Sequence, residues 1–415
     1  MSKKLFRFNS LQIQLTLILL VTLEALSQTF VRTYGNKDLA AIVYIIAGLL
    51  IGFLPLLKVV PHITKASESK PLSRIIFRLM PFLIAFFIAF FGWQAIQERA
   101  LDYKYADMLP VIEVMGQRWL NGEAVYAIIP EIWKGMQPIY LPAMWLPYVS
   151  AIFFGLDLRV VNLLFILVAI LLALDVFNSR RLVDWSRWLI YIPIGVLLSY
   201  IFLFYSSLVS ISEEPIVVGF YSLLAYGLIK NKPYLIAVAL ACCLLSRYTL
   251  LFWSVAYILY TFWNGEKSTA LKIVLGGGAF GLLLIFISQG IYQIELFYSL
   301  KDSYLETLTN PEEKWGMLNI ISKNVGLARF VAYEHLPYMH QALIWGSLVL
   351  PFILYGWYHW RLRSWVAPGL FALCSLKLCL VYFFNMNTMP YSYLFYVGSF
   401  LSLVLVGHYG KSRLQ

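Results

Sequence analysis

Apolar runs of about 17 to 25 residues, each long enough to cross roughly 30 Å of hydrocarbon as a helix, recur along almost the whole chain. Short polar connections separate them, and this repetition leaves few folds open. With a hydrophobic fraction of 61% and a charged fraction of only 13% over 415 residues, and a mean hydropathy of +0.75, the chain falls outside the soluble globular class. It reads as an all-α polytopic membrane protein forming a single integral membrane domain over 1–415. The first run, from about Leu11, is long, carries Glu24 and lacks a small-residue cleavage site before Arg32. It is therefore expected to remain as the first span and not to be removed as a signal peptide.

The net charge of +11 does not point to nucleic acid, because the basic residues are scattered through the connections between spans and do not cover one face. They read instead as topology signals, since cytoplasmic connections are enriched in Lys and Arg. Cys242, Cys243, Cys374 and Cys379 all lie in apolar runs without metal-ligand spacing and are read as packing residues.

The basic residues also set the direction of each span. Lys3, Lys4 and Arg7 hold the N-terminus in the cytoplasm, span one (10–31) leads out, and span two (38–58) returns to Lys58, Lys65, Lys70 and Arg74. Span three (75–96) leads out again, into a long stretch from Gln97 to Arg159 that is neither apolar enough to cross nor strongly basic. Within it, 139–155 is broken by Pro142 and Pro147 and is read as an interfacial or re-entrant helix. Making 160–177 the fourth span keeps Arg180, Arg181 and Arg187 inside. Spans at 188–206, 214–229, 233–247, 249–264, 271–290, 340–358, 365–384 and 391–408 complete a count of about twelve, with a range of 10–13. Both termini are then cytoplasmic in an inner or plasma membrane, and a second extracytoplasmic loop covers 293–338.

Charges in or beside spans are costly and usually face a partner or a wet cavity. Asp102 and Asp107 follow span three, Glu213 and Glu214 precede Pro215 at the start of span six, Arg247 sits between two apolar runs, and Lys377 lies inside span eleven. On the derived topology these groups converge on the extracytoplasmic side, which points to one site. The structural alternatives are solvated aspartates, a helix cap at Glu213 and Glu214, and a Lys377 that pairs with Glu24 or snorkels. Glu334, His335 and His340 show no repeated ligand spacing, so no metal is expected.

One ordered set of residues resembles a known family. Asp107, then Gly122 and Tyr126, then the run IYLPAMWLP with Tyr140, then FFGLDLR ending in Arg159, and later SRY at Ser246 to Tyr248 resemble the GT-C superfamily of integral membrane glycosyltransferases. Within it the set is most similar to the family 87 polyprenol-phosphate-mannose-dependent mannosyltransferases, with the likeness covering about 97 to 250. The resemblance implies a catalytic aspartate in the first large extracytoplasmic loop, juxtamembrane helices after it, and a lipid-phosphate carrier as sugar donor.

The residue chemistry fits that class. Transfer needs a base for the acceptor hydroxyl, typically worth about 10²–10⁴-fold in rate, and Asp107 is the expected base with Asp102 as the alternative. It also needs cations on the leaving phosphate, where an Arg fork suits two oxygens. Arg247 is expected there, helped by Lys377 or Arg329, while Tyr126, Tyr140, Glu213 and Glu214 are expected to contact substrate. The expected partners are a polyprenyl-phosphate-sugar donor, a glycan or glycolipid acceptor and membrane lipid, with no cofactor. A transporter or lipid flippase of envelope biogenesis, or a non-catalytic scaffold, are the other classes.

Overall fold

A computed structural model describes residues 10–58, 71–178, 186–290, 326–388 and 394–409. Among them all regular structure is helical, apart from one isolated bridge pairing Ile129 with Met136. Helix α1 (Ser10–Leu26) runs on through a π turn at Ser27–Val31 to Tyr34. Helix α2 (Lys37–Phe53) opens on Asn36, whose side chain accepts the Asp38 and Leu39 amides at 2.8 and 3.1 Å, satisfying donors that a first turn otherwise leaves unpaired. Then come α3 (Pro71–Gln97), α4 (Met108–Leu120), α5 (Pro142–Phe153) and α6 (Arg159–Asn178).

Helix α7 (Tyr191–Ser199) is prolonged by a π turn at Tyr200–Phe204. It is followed by α8 (Glu214–Lys230), α9 (Pro233–Leu244), α10 (Leu251–Trp263) and α11 (Lys267–Ile287). The last three described helices are α12 (Leu336–Trp357), α13 (Pro368–Met386) and α14 (Leu394–Tyr409). Pro142, Pro215, Pro233, Pro337 and Pro368 stand in first turns, where a missing N–H breaks no helical bond.

Among the described residues seven stretches are long and apolar enough to cross a membrane: Leu11–Tyr34, Lys37–Leu56, Ile75–Gln97, Arg159–Phe177, Lys267–Ile287, Tyr333–Leu362 and Pro368–Met386. Shorter apolar helices lie at Pro142–Phe153, Tyr191–Phe204, Pro233–Leu244, Leu251–Trp263 and Tyr396–His408. The chain is thus a helical membrane-embedded protein, in which length alone supports seven crossings where about twelve were expected. The pair expected at 233–247 and 249–264 forms α9 and α10, only about 18 and 20 Å long at 1.5 Å per residue. Most of the expected loop 293–338 lies outside the described residues. Large apolar side chains point outward from α3 and α11, with Phe82 73% and Phe286 84% exposed, which suits contact with lipid tails and would be a liability in water.

The two ends of the bundle are fixed by contacts between distant segments. At the basal end Trp365 Nε1 donates to the Leu56 carbonyl at 3.2 Å, Gly369 lies against the Leu228 carbonyl, and Lys230 pairs with Asp175 at 2.8 Å. At the opposite, loop end, Trp119 Nε1 donates to Ile287 O at 2.5 Å, the Ala143 amide donates to Leu245 O at 3.0 Å, and Arg329 pairs with Asp38. Helix α8 runs between these ends through the core, packed by α6, α9, α13 and α14. Gly48 and Gly52 let α2 approach α13 at Val381 and Leu378, the close packing that small residues permit between helices in lipid.

Candidate functional site

The stretch 97–159 forms a platform over the loop end. Gly122 closes α4 at a φ of +72° with open space around it, a conformation that costs glycine little. The neighbouring turn is tied to the end of α11: Gln289 donates from its side chain to Glu123 O at 3.2 Å and accepts the Val125 amide at 3.4 Å. Tyr126, 8% exposed, accepts from Trp145 Nε1 at 3.2 Å and donates to Tyr140 O at 3.4 Å. Burial, only partly offset by hydrogen bonds with Trp145 and Ser288, pushes its phenol up to about 12. Tyr126 and Tyr140 are therefore placed inside the platform, where Tyr126 acts as a neutral hydrogen-bonding tie.

At the loop end three of the expected residues come together. Arg247 Nη2 lies 3.4 Å from Glu213 Oε1 and also donates to Glu214 Oε1. Its side chain is 22% exposed, against 2% for Glu213 and none for Glu214. Asp107 stands at the N-cap position of α4 yet caps none of its amides, and its charge acts on Glu213. The connection that presents the glutamates is held from below. Asn162 donates to Val209 O and Ser212 O, both at 2.8 Å, and accepts from Tyr148 OH at 2.6 Å, while Ser212 Oγ accepts the Glu214 amide at 3.1 Å.

The cluster holds two buried carboxyl groups against the Arg247 guanidinium. The second oxygens of Glu213 and Glu214 are buried and have no hydrogen-bond donor among the described residues. Buried acceptors in that condition are costly, and they suit a ligand that brings hydroxyl or N–H donors. Asp102 is occupied differently: its side chain accepts the Lys104 amide at 2.9 Å in a local turn.

The remaining expected residues lie apart from this cluster. Lys377 Nζ pairs with Glu24 and donates to Gly398 O at 3.0 Å, and Ser402 Oγ donates to the other Glu24 oxygen at 2.7 Å. Both charged side chains are fully buried, so Lys377 takes the pairing with Glu24 that the sequence left as an alternative. Arg329 pairs with Asp38. Among the described residues no three of His, Cys, Asp and Glu are arranged to hold a metal ion.

Sequence reasoning passed over two groups at this end. Asn162, buried in an otherwise apolar run, had a signal: a lone amide inside a span usually organises a partner. Glu113 on α4 had none, because its neighbours Asp157 and Arg159 are distant in sequence. There Arg159 grips Asp157 through two nitrogens at 2.8 and 2.6 Å and donates to Arg99 O at 2.6 Å. No family model, curated protein or solved structure matches the chain.

Proposed function

We propose that the chain is a membrane glycosyltransferase that moves a sugar, a hexose such as mannose, from a polyprenyl-phosphate carrier to an extracytoplasmic glycan or glycolipid. The observation that carries the reading is the pairing of Arg247 with the buried Glu213 and Glu214 at one end of the bundle, where the charge of Asp107 also acts on Glu213. Asp107 takes the acceptor hydroxyl proton, the freed oxygen bonds to the anomeric carbon, and the carbon–oxygen bond to the carrier phosphate breaks with its electrons leaving on phosphate. The unpaired oxygens of Glu213 and Glu214 accept from sugar hydroxyls, and Arg247 keeps those carboxylates charged and aligned. On this reading the chain makes about twelve passes in a GT-C-like arrangement, the loop end faces outward, and residues 10 and 409 lie toward the cytoplasm.

Purified protein in liposomes, given radiolabelled polyprenyl-phosphate mannose and a glycolipid extract, is expected to yield labelled glycan. Transbilayer movement of the labelled donor without any transfer would favour the transporter or flippase class instead.

A further inference from the structure

We propose that Asn162 is a positioning residue that fixes the Glu213 and Glu214 carboxyl groups, with the first turn of α6 clamping the connection that carries them. Asn162 is fully buried, and every polar atom of its amide is used. Its nitrogen donates to Val209 O and Ser212 O, both at 2.8 Å, and its oxygen accepts from Tyr148 OH at 2.6 Å. Val209 lies in the short turn Ser207–Ser210 and Ser212 comes just before Glu213, the N-cap of α8, so neither carbonyl has a regular place in a helical ladder. A buried carbonyl without a donor is costly. One amide that serves both carbonyls therefore sets the shape of this connection. The Tyr148 bond fixes which way the amide faces, since a flipped amide would turn its own oxygen toward the two carbonyls.

The hold passes to the carboxylates through Ser212. Its carbonyl is gripped by Asn162, its hydroxyl accepts the Glu214 amide at 3.1 Å, and Glu213 and Glu214 then meet Arg247. The far end of the connection is held from the same helical turn. Arg159, three residues before Asn162 and so on the same side of α6, donates to Arg99 O at 2.6 Å, and Arg99 donates to Ser207 Oγ at 3.1 Å. The connection is thus clamped at Ser207 and at Ser212. Tyr148 belongs to α5, so the platform and the two carboxylates share a single amide. The effect on sugar transfer rests on the transferase reading; the hold on the carboxyl groups does not.

The test compares Asn162→Leu, which keeps the volume and removes every hydrogen bond, with Tyr148→Phe, which removes one and decides the matter if Asn162→Leu does not fold. Trp365→Phe, which loses a tie to Leu56 O at the basal end, controls for general loosening. The full chain in detergent is treated with a water-soluble carbodiimide and glycine ethyl ester, and modification of Glu213 and Glu214 is followed by mass spectrometry. Both are almost wholly enclosed in the parent and should react slowly. Asn162→Leu should react at least about tenfold faster, the scale of a lost buried hydrogen bond, and Tyr148→Phe should move the same way by less. In transfer assays the KM for polyprenyl-phosphate mannose should rise about tenfold with kcat nearly unchanged, the sign of lost ground-state binding. Trp365→Phe should change neither readout. Unchanged labelling in both variants, faster labelling with an unchanged KM, a loss in kcat alone, or an equal response from Trp365→Phe overturns the proposal. A parent without transfer sinks the transferase reading and leaves the labelling to decide the hold.

Discussion

Arg247 and Glu214 meet at the loop end of the bundle, a guanidinium with 22% of its side chain exposed against a carboxylate with none. The pair joins the break between α9 and α10 to the first turn of α8, the helix at the centre of the core. Glu213 shares the same nitrogen at 3.4 Å, so one cation compensates two buried anions.

Arg247→Ala should therefore destabilise the fold by about 3–5 kcal/mol, the cost of leaving a buried charge without its partner. Arg247→Lys should recover part of the loss, because a point charge cannot serve both carboxylates as a planar fork does. Replacing Glu213 and Glu214 by Gln in the Arg247→Ala background should restore stability. Melting curves in detergent check this, and a single Arg247→Ala variant as stable as the parent would remove the compensating role.

Lys377 and Glu24 make the second buried pair, joining α1 to α13 with both side chains fully enclosed. Lys377→Met alone should cost about 3–5 kcal/mol, whereas Lys377→Met with Glu24→Leu should cost much less, since an apolar pair of similar volume can replace a buried ion pair. A double-mutant cycle on melting measures the coupling. Additive losses would show that the two charges are stabilised by other groups.

The Glu113 and Asp157 pair gives a pH dependence of opposite signs. Burial first, then the charge of Asp157, raises the Glu113 carboxyl above its ordinary 4.5, with Arg159 acting the other way. A raised carboxyl favours the fold below its unfolded value and costs stability as pH rises through its folded value. Burial also acts upward on Asp157, but the Arg159 hydrogen bonds outweigh it and lower that group below 3.8, so its contribution is present above the unfolded value and fades as pH falls. Glu113→Gln should stabilise at pH 7, with the gain shrinking toward about 4.5, and Asp157→Asn should destabilise at pH 7. Melting across this range settles both signs.

Much of this was legible in the sequence, and its gaps have physical causes. The apolar runs located the helices, because in hydrocarbon each segment must satisfy its own backbone. Their ends drifted where a π turn prolongs a helix, as at Ser27–Val31 and Tyr200–Phe204, which no periodicity announces. Arg247, Glu213 and Glu214 were legible as a group because charges beside spans are rare. The different surroundings of Asp102 and Asp107 were not legible: the first accepts the Lys104 amide in a local turn, and the charge of the second acts on Glu213, more than a hundred residues on.

Sidedness is checked by labelling. Cysteines introduced at exposed Glu131 and Glu334 at the loop end, and at exposed Lys232 and Ser268 at the basal end, should separate into two classes. An impermeant thiol reagent added to intact cells should reach the first two only. Labelling of Lys232→Cys and Ser268→Cys under those conditions would invert the topology and remove the extracytoplasmic site.

On the proposed reading Asp107 is the base of a sugar transfer. The rate of transfer from radiolabelled polyprenyl-phosphate mannose is to be measured for Asp107→Asn, beside Asp102→Asn and the parent. Asparagine keeps the size of aspartate and removes its basicity, so Asp107→Asn should lose at least about a hundredfold in turnover, the low end for a general base, with folded yield and donor binding preserved. Asp102→Asn should lose much less, because its side chain serves a local turn. Full transfer by Asp107→Asn would contradict the account.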